Sequence, residues 1–454
     1  MFRTSSPGLS SATAAMPPPL LLLLLLLLHA VVVDLHGCSN ATFPALASPV
    51  PDTNFSRAIA SWDALEAHLG FNRTGRCTPP AGRWPCGLFL ELLNTSVSLR
   101  TAPVWPHSQI LHAAIDLALA RASGTRNATA LARVRSATTA LSFYYRQHGY
   151  SPNVNETGPL GRYWDDNGVM ALALLQAQLM GLSGMPGGES SGFDYLAMAA
   201  DIFPFLARGQ NLEEGGVYWH EGDPAPRRGL SATGSTTQAA LWLHMLVTAD
   251  LPSAESRNIS STMYGRFALR NMRFIDSRLR SGDLYYNSWF DNATDNHCGT
   301  PVGYPSNVCG WMFTYNQGMP IGAYVLLYRI TGSVGYLANA TATATAALSF
   351  FNEAALFTQQ PPAFNAIFFR NLLALDAVAP DPRYRAALSL YLGRAWNEAR
   401  DAVSGLFIHG GVATYELRQF GSIDQAAFVQ MFAMEQWPRF QTQNLTLSHE
   451  CTSH

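Results

Sequence analysis

The chain contains no lysine; all 29 of its basic residues are arginine. That absence excludes Schiff-base chemistry and a phosphate-loop lysine. Charge of either sign is scarce, with 13% of residues charged and a formal net charge of −2. A general grip on nucleic acid needs a basic face, so no nucleic-acid partner is expected. What replaces charge is apolar: 48% of the 454 residues are hydrophobic. Such a chain can bury a substantial core and is not disordered as a whole.

Cysteine is also sparse, confined to Cys38, Cys77, Cys86, Cys298, Cys309 and Cys451. No cysteine–histidine cluster has zinc-site spacing, and the neighbours His297 and Cys298 are a coincidence of sequence more often than a ligand pair. The even number and the spacing suggest two short loops, Cys77 with Cys86 and Cys298 with Cys309. Cys38 and Cys451 would then tie the ends, although spacing alone leaves the connectivity open.

Long apolar runs are limited to Leu20–Leu28, continued beyond His29 by Ala30 to Val33 and stopped at Asp34. This falls short of the roughly 20 apolar residues of a membrane span, so no stable span is expected. With Arg3 and a Ser/Pro-rich stretch ahead of it, the run reads as a cleaved secretory signal over residues 1–37, an uncleaved anchor being the other reading. Residues 38–454 then form a single domain. No hydrophobic tail precedes His454, so a lipid-exchanged anchor is not indicated. Glycosylation sequons at Asn40, Asn54, Asn72, Asn94, Asn127, Asn155, Asn258, Asn292, Asn339 and Asn444 agree with export. The expected location is extracellular.

Strand patterns are few, and the periodic segments are helical and rich in Ala and Leu. They fall at Ser56–Leu69, His107–Ser123, Ala130–His148, Asn167–Leu182, Phe193–Arg208, Leu230–Ala249, Thr262–Arg280, Gln317–Thr331, Val334–Asn352, Ala363–Ala377, Tyr384–Arg400 and Ser422–Glu435. Asn167–Leu182, Leu230–Ala249 and Gln317–Thr331 are apolar on nearly all sides, which requires burial on all sides. Tyr384–Arg400 has a clear polar face. An inner ring of buried helices wrapped by an outer ring satisfies both patterns and gives an all-α barrel of about twelve helices. A helical solenoid competes, but no fixed repeat is present.

The segment Arg162–Ala173, RYWDDNGVMALA, sets Asp165 and Asp166 behind two aromatics at the start of a buried helix. One aspartate is explained as a helix cap. Crowding a second beside it raises the pKa of one carboxyl, while the helix dipole favours ionisation of the other. The pair then offers one nucleophile and one proton donor. Retaining glycoside hydrolysis needs such a pair, with the carboxyl groups about 5–5.5 Å apart.

Further segments carry a resemblance. Tyr163-Trp164-Asp165-Asp166-Asn167 is similar to the aromatic–Asp–Asp signature of the glycoside hydrolase family 76 endo-α-1,6-mannanases and their fungal cell-wall relatives. Glu214–Trp219 resembles that family's glycine-rich turn. Phe313–Gly318 resembles its TYNQG motif, which runs on through Gly322-Ala323 to Tyr328–Gly332, and Ala363–Arg370 resembles a later segment. The resemblance implies an (α/α)6 barrel and a retaining mechanism, with Asp165 as nucleophile and Asp166 as general acid/base. It also implies a mannan-type polysaccharide partner, hydrolysis or transfer as the outcome, and no metal or organic cofactor. The chain departs from the family in three places. Gly168, Val169 and Met170 stand where tryptophans are common; GLSATGSTTQ (229–238) replaces an asparagine-containing segment; and Leu284–Asp291 differs from the usual form.

Tyr163, Trp164, Trp219, Trp311 and Tyr315 are candidate sugar platforms, since aromatic faces meet the apolar faces of sugars. Trp164, Trp219 and Tyr315 are favoured because they flank the motifs. Asn316 and Gln317 offer amides to sugar hydroxyls, with helix capping the alternative for Asn316. Glu213 and Glu214 read as a solvated turn, and Glu221 and Asp223 as a cleft rim. His244 reads as a hydrogen-bonded core histidine. No nucleophile elbow surrounds Ser231, Ser235 or Thr236. Two rivals stand beside the glycosidase: a lyase or epimerase with a His- or Tyr-centred relay, and a non-catalytic carbohydrate-binding or cell-wall protein on the same fold.

Overall fold

A computed structural model describes residues 53–71, 87–93, 100–119, 128–156, 161–182, 192–251, 253–351, 355–408 and 420–437. The chain divides into Met1–Ser48 and Pro49–His454, and every described residue belongs to the second unit. The expected signal segment, Cys38, Cys77, Cys86 and Cys451 lie outside the described residues.

Among the described residues, twelve long helices alternate between two rings, with two short helices, Ser253–Ser256 and Ala355–Gln359, outside this count. The outer ring comprises α1 (Asn54–Leu69), α3 (Ala128–Ala140), α5 (Tyr195–Arg208), α7 (Met263–Phe274), α9 (Val334–Phe351) and α11 (Pro382–Arg394). The inner ring comprises α2 (Val104–Leu119), α4 (Trp164–Leu179), α6 (Leu230–Val247), α8 (Thr314–Thr331), α10 (Pro362–Asp376) and α12 (Ser422–Glu435). Each inner helix packs on the next, and α12 packs back on α2, closing an (α/α)6 barrel. Hydrophobic pattern decides the ring. Every residue of α8 from Thr314 to Leu327 is buried. On α11 only Tyr384, Ala387, Leu388, Tyr391 and Leu392 are, a single stripe at helical spacing. The ends are set by ordinary caps: Asp194 Oδ1 accepts from the Ala197 N–H at 2.9 Å, and Gly332 ends α8 at φ 71°.

Three helices stop earlier than their sequence periodicity. The third ends at Ala140, followed by a 3-10 turn over Leu141–Phe143. The chain then turns left-handed at Gln147 and His148, with φ of 46° and 60°. The Arg162 guanidinium fixes that turn by donating to the carbonyls of Arg146 at 2.9 Å and Gln147 at 3.0 Å. Tertiary hydrogen bonds there override a helical sequence. The helices α7 and α11 widen into π-turns over Ile275–Leu279 and Ala395–Ala399.

Strands are short. Those that bear on function are β1 (Arg227–Gly229), β2 (Ser288–Phe290) and β3 (Val308–Cys309), antiparallel with Arg227 opposite Phe290 and Ser288 opposite Cys309. The Cys298–Cys309 disulfide, expected from spacing, closes the loop between β2 and β3.

The inner helices approach closely through glycines. A Cβ on Gly318 of α8 would lie 2.7 Å from the Phe368 Cα of α10, with no flexible group to yield. Gly318→Ala is therefore expected to destabilise the fold by about 1–3 kcal/mol, the usual range for overpacking. Gly393→Ala on α11, where a Cβ meets nothing within 4 Å, should instead stabilise by about 1 kcal/mol through helix propensity. Urea unfolding of the two variants tests the pair; equal effects would mean that the inner ring is not tightly packed at Gly318.

Candidate active site

The inner helices run parallel to one another, and five of them begin at one cavity of about 200 Å³. Its wall takes Trp105 from α2, Asp165, Asp166 and Val169 from α4, and Ser231 from α6. Tyr315 and Met319 come from α8, and Phe364 and Ile367 from α10. The three-stranded sheet adds Arg227 and Ser288, the residue ahead of β2 adds Asn287, and the loop ahead of β1 adds Trp219. Helix N-termini carry partial positive charge, so this mouth favours anions.

Ion pairing fixes the wall. Arg162, 1% exposed, grips Glu221 with Nε to Oε2 at 2.9 Å and Nη2 to Oε1 at 3.0 Å. Burial pushes Glu221 up, but the guanidinium outweighs it and the net shift is downward. This joins the residues ahead of α4 to the Trp219 segment, where the Trp164 N–H donates to the Trp219 carbonyl at 3.0 Å. Glu221 is thus an anchor for the wall. Glu214 likewise is paired, 2.7 Å from both Arg228 and Arg278, where the sequence suggested only a solvated turn.

The two aspartates occupy the first turn of α4 in different surroundings. Asp165 Oδ2 accepts from Trp219 Nε1 and from Ser231 Oγ, both at 2.9 Å, and its Oδ1 accepts from the Asp166 N–H at 3.0 Å. Burial raises the Asp165 pKa, and these donors oppose the rise by favouring the ionised form. Among the described residues no donor reaches the Asp166 carboxyl. Burial, and then the charge of Asp165, push it well above its ordinary value of 3.8. One carboxylate beside one carboxylic acid is the state this geometry favours.

Of the residues expected to meet a sugar, Trp219 and Tyr315 line the cavity and the others do not. Trp219 is largely spent: its Nε1 serves Asp165, and the Arg227 guanidinium covers its face at 3.9 Å from the ring centroid. Tyr315 donates to Asn287 Oδ1 at 2.5 Å and is held by Phe313 and Phe364. Trp164 turns into the core, stacked on Phe205 at 5.5 Å and donating to the Phe205 carbonyl. Asn316 caps α8 by accepting from the Phe313 N–H at 3.2 Å. Gln317 is spent on the Tyr285 backbone, accepting at 2.9 Å and donating at 3.0 Å. His244 bonds Thr262 Oγ1 at 2.8 Å within its helical neighbourhood.

Sequence reasoning overlooked Trp105, Arg227, Ser231, Asn287 and Phe364 as wall residues. A signal for some of them existed. Each of the three departures from the family pattern contributes to this wall: Val169 in the first, Ser231 in the second, Asn287 and Ser288 in the third.

A second cavity of about 90 Å³ lies farther along the barrel axis and shares Val169, Met319 and Ile367 with the first. Most of its polar lining is internally satisfied, the buried Trp437 Nε1 being the exception. Arg370 binds Asp116, Gln176 Oε1 at 2.9 Å and Gln430 Oε1 at 2.9 Å. His112 meets Gln176 Oε1 at 2.8 Å and is held neutral, its pKa lowered to about 3 by burial. No carboxyl group lines this second cavity, whereas Asp165 and Asp166 line the first.

A raised carboxyl pKa costs stability at neutral pH. Asp166 binds its proton more tightly folded than unfolded, so its contribution is fully present below 3.8 and is lost as pH rises through the raised folded value. Asp166→Asn removes that loss. It should raise the unfolding free energy at pH 7 by on the order of 1 kcal/mol and leave it nearly unchanged at pH 3, as read by denaturant titration at both pH values. A variant less stable at pH 7 would contradict the assigned protonation.

Comparison with known proteins bears on this arrangement. A family 76 α-mannanase from Bacteroides thetaiotaomicron superposes with a TM-score of 0.66 at 14% identity, over 86% of this chain and 96% of that one. An inactive double Asp-to-Asn variant of an α-1,6-mannanase from Salegentibacter sp. HEL1_6, in complex with α-1,6-mannotriose, gives 0.59 at 15% identity, over 84% and 99%. Dfg5 from Chaetomium thermophilum, in complex with glucosamine, gives 0.57 at 13%, over 85% and 90%. At such identities the likeness establishes the fold. The chain matches no curated relative. The family model for glycosyl hydrolase family 76, however, matches residues 93–437, a span that holds the whole inner ring and both aspartates, and so this chain belongs to glycosyl hydrolase family 76.

Proposed function

We propose that the chain is a secreted retaining glycosidase or transglycosidase acting on α-1,6-linked mannan. The observation that carries this reading is the asymmetry of the aspartate pair. Asp165, held ionised by Trp219 and Ser231, attacks the anomeric carbon. Asp166, held neutral by burial and by its neighbour's charge, gives its proton to the departing glycosidic oxygen. The sugar is left as an ester of Asp165. Asp166, now ionised, takes a proton from water or from a sugar hydroxyl, which opens the ester and regenerates the acid. Water gives hydrolysis and a sugar hydroxyl gives transfer. The glycans bound by the structural neighbours, α-1,6-mannotriose and glucosamine, support a hexose-binding cleft. Export is supported by the apolar N-terminal run and the sequons. Among the described residues Asn54, Asn155, Asn258, Asn292 and Asn339 all lie off the buried core.

Turnover of an α-1,6-mannan oligosaccharide, with products resolved by size, tests the activity. Wild type should give shorter products, or longer ones by transfer. Asp166→Asn should lose about 100- to 10,000-fold in kcat/KM, the range for a general acid–base group, and Asp165→Asn at least as much. Binding without turnover by wild type would replace the enzyme with a carbohydrate-binding protein.

The pH profile tests the roles. Ser231 lowers the Asp165 pKa by hydrogen bonding to its ionised form. Ser231→Ala should therefore move the acid limb of kcat/KM toward higher pH while leaving the alkaline limb, set by Asp166, nearly in place. Movement of the alkaline limb alone would reverse the assignment.

A further inference from the structure

Arg227 stands out among the arginines near the cavity. Arg162 is committed to Glu221, Arg228 to Glu214 and Asp291, and Arg278 to Glu214. Arg227 lines the cavity on β1 with its guanidinium over the Trp219 ring, 3.9 Å from the centroid. Among the described residues it has no carboxylate partner and no hydrogen-bond acceptor. The nearby candidate is Asp165, but its oxygens already take Trp219 Nε1, Ser231 Oγ and the Asp166 N–H. A guanidinium is planar by delocalisation, and a cation–π contact with an indole leaves its N–H groups unspent. A neutral sugar hydroxyl does not call for a full, oriented cation. An oxyanion does, because its two oxygens match the guanidinium fork.

We propose that Arg227 forms a subsite for an anionic oxygen group, a phosphate ester or a carboxylate, carried by the glycan bound in this cavity. The proposal rests on reading the cavity as a glycan cleft. It narrows the substrate class from neutral mannan to mannan bearing an acidic substituent. The neutral Asp166 limits like-charge repulsion, and the converging helix N-termini add to the attraction.

The test compares three ligands by calorimetry: α-1,6-mannotriose, its counterpart with a 6-phosphate on the non-reducing end, and its counterpart with a 6-carboxylate there. The full chain is used in an Asp165→Asn background to prevent turnover, with and without Arg227→Gln and Arg227→Lys. A charged ligand should bind about 10- to 100-fold tighter than the neutral one, as a charge-assisted hydrogen-bonded pair provides. Arg227→Gln should bring that ratio close to one, and Arg227→Lys should retain part of it. Preference for the phosphate alone or the carboxylate alone identifies the source of the charge. A ratio near one in the Arg227 protein, or a ratio unchanged by Arg227→Gln, overturns the proposal and leaves Arg227 as a prop for Trp219. If none of the three binds, the glycan reading fails, and inorganic phosphate decides the subsite by itself. Phosphate should raise the Tm with Arg227 present and not in Arg227→Gln; no difference between them overturns the subsite as well.

Discussion

Three hydrogen bonds to Asp165, from Ser231 and Trp219 to its Oδ2 and from the Asp166 N–H to its Oδ1, are what separate two otherwise similar carboxyl groups. Both aspartates suffer the same burial, and without those donors the pair would share one proton with no fixed owner. Supplying the donors requires much of the remaining architecture. Trp219 must be held by the Trp164 backbone and by the Arg162–Glu221 pair, and Ser231 must sit in the first turn of α6. The ring of parallel inner helices places that first turn beside the first turn of α4.

The barrel was legible in the sequence because burial leaves a periodic record. A helix such as α8, covered on all sides, must be apolar on all sides, and α11, covered on one, shows one stripe. The helix ends were less legible where tertiary hydrogen bonds intervene, as they do at Gln147 and His148. The candidate site was legible only along the helices. Asp165, Asp166 and Tyr315 belong to contiguous motifs that begin inner helices. Trp164, Asn316 and Gln317 belong to the same motifs, yet their neighbours Phe205, Phe313 and Tyr285 claim their polar atoms. Adjacency in a motif therefore did not separate the residues that face the cavity from those that secure it. Arg227 and Asn287 were hidden for another reason: they reach the cavity through strand pairing between segments about sixty residues apart, which no local periodicity records.

The lack of lysine takes on structural meaning in this light. Where the fold must tie two loops together across a polar gap, it uses a planar fork able to satisfy several acceptors at once. Arg162 spans Glu221 and two carbonyls; Arg228 spans Glu214, Asp291 and the Gly215 carbonyl; Arg370 spans Asp116 and two glutamines. An ammonium offers three donors around a point and matches such arrays poorly. With so few charges in the chain, these three guanidiniums each carry several contacts.

The order of helices around the ring also bears on how the protein is made. The last inner helix, α12, packs on the inner helices α2 and α10 and against α1. A chain emerging from the ribosome N-terminus first presents α2 to solvent with one flank uncovered until Glu435 has been added. Five inner helices can pair in sequence as they appear, but the join between the first and the last waits for nearly the whole described chain. Closure of the barrel is thus a late event in synthesis, and the apolar seam along α2 must be shielded from other nascent chains until then.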